Sequence, residues 1–158
     1  MQSQAAGWRW GGLAAWVAVT FAAAAIGNWA TGSSVGDWYG TLRKPSWTPP
    51  GWLFGPVWTV LYASMATAAW MVWRRVGWGR ATAAYGVQLA LNAGWSVLFF
   101  GLRQPGWAAA EIIALWLAIA VTIALFARES KAAAWLLVPY LAWVTFAAAL
   151  NVAIWRLN

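Results

Sequence analysis

The 158-residue chain contains no cysteine and no histidine, and only three of its residues are acidic. Each absence removes a class of chemistry. Without Cys or His the usual zinc and transition-metal ligands are missing, as are most nucleophile–base pairs. No disulfide can form, although that by itself identifies no compartment. Charge of either sign is scarce, at 8% of residues against roughly 25% in an average soluble domain. A proton relay needs several ionisable groups along one path, and ion channels line their pores with charge rings or dedicated carbonyl loops. This composition provides for neither.

What the chain has instead is apolar surface, 63% of its residues, and seventeen tryptophans. Indole joins a large apolar face to one N–H donor, which suits membrane interfaces and flat aromatic ligands alike. A soluble domain of this length cannot hide so much apolar surface. The composition therefore implies an integral, multi-pass membrane protein, with residues 1–158 forming a single domain. The net charge is +7, but the ten basic residues are scattered between apolar runs, densest at Arg74, Arg75 and Arg80. They read as loop charges that set topology and meet anionic headgroups, not as a nucleic-acid surface.

A spanning helix needs about 20 mainly apolar residues. Five segments fit: Trp8–Ala30, Trp52–Trp73, Ala81–Gly101, Trp107–Ala127 and Ala132–Trp155. Charges and helix breakers separate them, and the segments lack the alternating polarity of a β-barrel. The expected fold is an all-α bundle of five transmembrane helices, with a long loop between the first and second. The three short connections predict that consecutive helices pack as antiparallel neighbours. Arg9 followed by an apolar stretch to Ile26 has some likeness to a signal peptide, but the run continues past Asn28 and Trp29. Arg9, Arg74, Arg75, Arg80, Arg128 and Lys131 lie on the N-terminal side, against Arg43, Lys44, Arg103 and Arg156 on the other. Positive-inside bias therefore places the N-terminus in the cytoplasm.

The long connection, from about Thr31 to Gly51, carries Trp38, Tyr39 and Trp47 among prolines and glycines. Pro45, Pro49 and Pro50 stiffen it. It reads either as a lid over the bundle or as part of an interfacial aromatic belt.

Three helices carry polar or aromatic groups at spacings of three and four, which places them on single faces. Gln88, Asn92, Trp95 and Phe99 fall in line on one; Pro139, Trp143, Ala147, Leu150 and Asn151 on another; Trp58, Tyr62 and Met65 on a third. Amides in a membrane core are costly unless hydrogen-bonded, so Asn92 and Asn151 should point inward. They serve either as glue between helices or as anchors in a small-molecule cavity. Gly86, Ala90 and Gly94 form a separate small-xxx-small line, suited to a dimer interface or to close packing within the bundle. Glu111, the only acid within an expected span, reads as compensation of a helix dipole.

The runs WYGTLRKPSWTPPGWLFGPVWTVLY (Trp38–Tyr62), LALNAGWSVLFFGLRQPGWA (Leu89–Ala108) and VPYLAWVTFAAALNVAIWRLN (Val138–Asn158) carry a more specific signal. In order and spacing they resemble the tryptophan-rich sensory protein / translocator protein family (TspO/MBR, the peripheral benzodiazepine receptor family). The resemblance implies a five-helix bundle, usually a homodimer, that binds porphyrins, sterols and synthetic benzodiazepine-type ligands. Its pocket would lie between the helices, under the loop joining the first two. Carried over by motif, the ligand-binding positions are Tyr39, Trp58, Asn92, Trp95, Phe99, Trp107, Trp143, Ala147 and Leu150. In some bacterial members the tryptophans matching Trp58 and Trp143 are linked to light- and oxygen-dependent porphyrin breakdown. The sterol-recognition segment would run from Leu150 to Arg156, with Val152 where the pattern has tyrosine, which weakens a sterol assignment.

The resulting expectation is a receptor or binding protein for tetrapyrroles (protoporphyrin, haem), in a bacterial membrane, moving or sensing them. It needs no cofactor and no metal; the porphyrin is its ligand. A macrocycle stacks its π-face on indole, while its carboxylates reach towards Arg43 or Lys44. With no histidine to ligate iron, binding should rest on the ring. The alternative is an enzyme that photo-oxidises porphyrin through Trp58 and Trp143, without a general base, nucleophile or metal of its own. A third reading is a structural or regulatory membrane partner. A transporter would more commonly show inverted repeats or broken-helix pairs. The tryptophans then divide in two: Trp8, Trp10, Trp73, Trp78 and Trp155 as interfacial anchors, and Trp58, Trp95, Trp107 and Trp143 around one cavity.

Overall fold

Backbone groups that cannot reach water must bond within their own segment, so long apolar runs coil into helices. The computed structural model describes residues 2–32 and 34–158, with residues 2–9 described by their backbone alone. The helices are α1 (Gln2–Gly32), α2 (Trp38–Thr41), α3 (Gly51–Val76), α4 (Arg80–Ser96), α5 (Pro105–Glu129) and α6 (Lys131–Leu157). A π-helical turn, Val97–Gly101, extends α4, and the described residues contain no strand. Five helices are long; α2 is a single turn inside the long loop. The anchoring and topological roles read for the side chains of Trp8 and Arg9 lie outside the described residues.

Four stretches are long and apolar enough to cross a membrane: Trp10–Gly32, Arg80–Gly101, Pro105–Glu129 and Lys131–Leu157. Helix α3 is of similar length, but Pro56, its glycines and the Arg74–Arg75 pair dilute its apolar character. The ends follow local chemistry. Gly77, at φ 66°, closes α3 with its N–H on the Trp73 carbonyl at 2.8 Å, a left-handed position that favours glycine. Pro105 opens α5, where its missing N–H costs no helical bond. The Ser130 hydroxyl caps α6 by accepting from the Ala133 N–H.

The long helices close into a ring in which α1 touches α3, α3 touches α6, α6 touches α5, α5 touches α4, and α4 returns to α1. The expected pairing of consecutive helices holds for α4–α5 and α5–α6. It does not hold for α3 and α4, which touch each other only lightly because α1 wedges between them. Two glycines let α1 in. A Cβ at Gly12 would stand 2.3 Å from the Trp73 ring, and one at Gly27 would stand 3.1 Å from the Ser96 hydroxyl. Trp16 and Thr20 of α1 are buried, and the Thr20 and Tyr85 hydroxyls share a hydrogen bond of 2.7 Å. The first segment is thus an integral member of the bundle.

The core is built from Met65, Ala69 and Val72 of α3, Ile112, Ile119 and Phe126 of α5, and Leu137, Tyr140 and Val144 of α6. Among the end tryptophans, Trp10, Trp78 and Trp155 are exposed, as interfacial anchors should be. Trp73 differs: it is half-buried against Gly12 and meets Trp78 edge-on, so it packs α1 onto α3 as well as marking a helix end.

Candidate functional site

The polar face of α4 meets α3 and α6 in a buried hydrogen-bond chain. Tyr62 donates to Asn92 Oδ1 at 2.6 Å, and Asn92 Nδ2 donates to the Tyr140 hydroxyl at 3.0 Å. Tyr140 in turn donates to Gln88 Oε1 at 2.9 Å. Gln88 is only 1% exposed, and its Nε2 has no protein partner. A second amide works one turn and more along the bundle. Asn151 accepts from the Trp95 indole N–H at 2.9 Å and donates to the Pro105 carbonyl at 2.8 Å. Both asparagines therefore point inward, to side chains and backbone and not to each other. Bonds of this kind fix the approach of neighbouring helices in lipid.

Aromatic rings surround these amides. Trp58 stacks on Tyr62 with centroids 5.3 Å apart and meets the edge of Tyr140 at 6.2 Å. Trp95 stacks on Phe99 at 5.2 Å. Trp143 lies against Phe54 and Phe146, at 5.8 and 5.5 Å. Trp58, Trp143 and Ala147 pack on the main core, Phe99 and Leu150 belong to a second cluster on the loop side, and Trp95 touches both.

The long loop covers this second cluster. Trp38 and Tyr39 pack on Phe99, Tyr39 also on Phe100, and Trp47 on Phe146. Several bonds hold it down. Ser34 donates to the Phe100 carbonyl at 2.6 Å, and the Asn158 amide exchanges two bonds with the Arg43 backbone, each of 2.9 Å. Lys44 Nζ lies 4.7 Å above the Tyr39 ring and donates to the Tyr39 carbonyl at 2.8 Å. Burial raises the Tyr39 phenol above its ordinary pKa, so the ring stays neutral beneath that cation. Of the two readings of the loop, the geometry is that of a cover.

The structure thus brings Tyr39, Trp58, Asn92, Trp95, Phe99, Trp143, Ala147 and Leu150 into two adjoining clusters. It does not bring Trp107 there. Helix α5 turns Ala108, Ile112, Leu115 and Ile119 into the bundle, and Trp107 sits about 100° away from that face. It is 70% exposed and lines an outer cleft instead. The small-residue line also divides. Gly86 and Ala90 are exposed, whereas Gly94 faces Glu111, whose Oε1 lies 3.7 Å from where a Gly94 Cβ would be. Glu111 itself is not in the first turn of α5, and both its carboxylate oxygens are buried. Its reading as a partner of the helix dipole fails on that position. Two members of the hydrogen-bond chain, Tyr140 and Gln88, were not among the expected binding positions. Gln88 shares the Asn92 face and was legible; Tyr140 carried no distinguishing signal, since tyrosine also suits an interface.

The description TspO/MBR family fits residues 16–156 of the chain. The "Tryptophan-rich protein TspO" of Chlorobaculum tepidum is 43% identical over 150 residues, covering 92% of this chain and 95% of that protein. The human "Translocator protein" is 44% identical over 126 residues, covering 77% of this chain and 75% of its own length. The "Tryptophan-rich sensory protein" of Cereibacter sphaeroides is 43% identical over 122 residues, covering 77% of each chain.

Proposed function

The chain belongs to the TspO/MBR family of membrane proteins, and on that premise we propose that it is an integral membrane receptor for tetrapyrroles, protoporphyrin and haem, and for related hydrophobic ligands. One observation carries the reading: Trp58, Trp95 and Trp143 pack in two adjoining aromatic clusters beside the hydrogen-bonded amides Asn92 and Asn151, and the tied-down aromatic loop covers the second cluster. A broad π-system with a few polar edges is the ligand class that such a lining complements. Synthetic benzodiazepine-type ligands share that chemistry. A sterol fits less well, because Val152 supplies no hydroxyl at the end of α6. The names of relatives attach translocation or sensing to those proteins, and either role begins with the same bound state.

Two structural proposals accompany this one. All five long helices span the membrane, α3 included, since its 26 residues reach roughly 39 Å at about 1.5 Å per residue. The protein also pairs with a second copy through the outward-facing Gly86 and Ala90, the open part of the small-residue line.

Titration of tryptophan fluorescence with protoporphyrin tests the ligand. Trp143→Phe should weaken binding several-fold, and haem should bind about as tightly as the metal-free ring. Equal affinity of wild type and Trp143→Phe overturns the assignment of the site, and strong axial iron ligation overturns the ring-based mode. The contact of Trp58 with Tyr62 and Tyr140, a run of oxidisable rings, favours a second reading in which bound porphyrin is degraded under light and oxygen. Loss of the Soret band on illumination would then slow in Trp58→Phe and Trp143→Phe. An unchanged rate removes the enzymatic reading.

A further inference from the structure

Between the α4–α5 turn, the short helix α2 and the end of α6 lies an outward-opening cleft of about 760 Å³. Trp38, Leu42, Trp107, Trp155 and Asn158 are among its lining residues, and Arg103 is the one charged side chain there. We propose that this cleft is a binding site for the phosphate headgroup of an anionic phospholipid from the leaflet on the loop side.

The first support is the backbone at Arg103. It has φ 54°, the one positive φ at a non-glycine among the described residues. The local bonds explain why. Leu102 N–H returns to the Val97 carbonyl at 2.7 Å and Gln104 N–H to the Leu98 carbonyl at 3.0 Å, closing the π turn through the left-handed residue between them. That position suits glycine, and the chain places arginine there at a conformational cost. A residue held in a sparsely populated backbone region is a pointer to function when it lines a site, and this one does.

The second support is the chemistry of the walls. Gly106 brings the Trp155 indole close over the first turn of α5, because a Cβ there would stand 2.9 Å from its ring nitrogen. Two exposed indoles and the exposed Arg103 therefore share one cleft, at the end of a helix long enough to span. Indoles settle at headgroup depth, and a guanidinium pairs with phosphate through two parallel hydrogen bonds. Below them the outward face of α5 continues as Ala110, Ile113 and Leu117, all exposed and apolar. A free phosphate would leave that slope unused, whereas an acyl chain covers it. Among side chains, the loop-side end carries Arg43, Lys44, Arg103 and Arg156 against the single acid Asp37, an excess that favours an anionic partner.

The test is native mass spectrometry of the full chain in detergent, titrated with phosphatidylglycerol or phosphatidylcholine of matched chains. Wild type should retain phosphatidylglycerol at least tenfold more tightly. Arg103→Gly should erase that preference without lowering the melting temperature, since glycine is at ease at φ 54°. Arg103→Gln, which keeps a side chain there, should erase it as well. Protoporphyrin quenching should be unchanged in both, which separates this site from the ligand site within the bundle. Equal retention of the two lipids by wild type overturns the proposal, as does a preference that survives both substitutions. Displacement of the lipid by inorganic phosphate at a comparable concentration also overturns it, by reducing the cleft to a simple anion site.

Discussion

The Tyr140 hydroxyl sits between two amides, accepting from Asn92 and donating to Gln88. Its removal leaves Gln88 without either of its bonds, because Nε2 already lacks a protein partner. Tyr140→Phe should therefore cost about 1–2 kcal/mol, read from denaturant unfolding in micelles. Tyr62→Phe takes only one donor from Asn92 Oδ1, which leaves the rest of the chain intact, and should cost less, about 0.5 kcal/mol. Equal losses would mean that the bonds are not arranged as a chain. At this scale the sequence was informative where a residue type is out of place. An amide in an apolar run has few reasons to be there, so Asn92 and Asn151 were legible. An aromatic residue among aromatics has many, so Trp107 could be assigned to a cavity although one residue's offset on α5 turns it outwards. Tyr140 was illegible for the same reason.

Helix packing depends on features that composition cannot rank, and α1 is the clearest case. Gly11 and Gly12 are adjacent and alike in sequence, yet a Cβ at Gly11 meets nothing within 4 Å, while one at Gly12 meets the Trp73 ring at 2.3 Å. Two substitutions of the same kind should then act with opposite sign. Gly11→Ala should stabilise by about 0.5–1 kcal/mol through helix propensity alone. Gly12→Ala should destabilise by about 1–3 kcal/mol, because Trp73 must shift or α1 must retreat. Thermal unfolding of the two variants in one detergent reads both, and a shift of the same sign in each would contradict the wedge of α1 between α3 and α4. The existence of the long helices was visible as apolar runs of sufficient length. Their neighbours were not, since the short Gly77–Gly79 connection predicts a contact that α1 largely displaces. The π turn after Ser96 was equally hidden, because a five-residue rewinding leaves no trace in periodicity.

For the molecule as a whole, the open quantity is how the ring of helices sits in the bilayer. Helix α3 decides it: its apolar centre is diluted, but it lies between α1 and α6, both apolar enough to span. Its small residues Ala66, Ala68 and Ala69 are buried against neighbouring helices, and a helix packed between two spanning neighbours needs less hydropathy of its own. Its two ends should therefore emerge on opposite faces. The chain has no cysteine, so single cysteines report without background. Ser46→Cys precedes α3 on the loop side and Val76→Cys ends it, and both positions are exposed. In intact cells a membrane-impermeant maleimide should label Ser46→Cys and spare Val76→Cys until the membrane is opened. That order follows from the heavier positive charge around Arg74, Arg75, Arg80, Arg128 and Lys131, which belongs in the cytoplasm. The reverse order would keep five spans and invert the molecule. Labelling of both from one side would remove α3 from the membrane, and with it the face that carries Trp58 and Tyr62 to the buried amides.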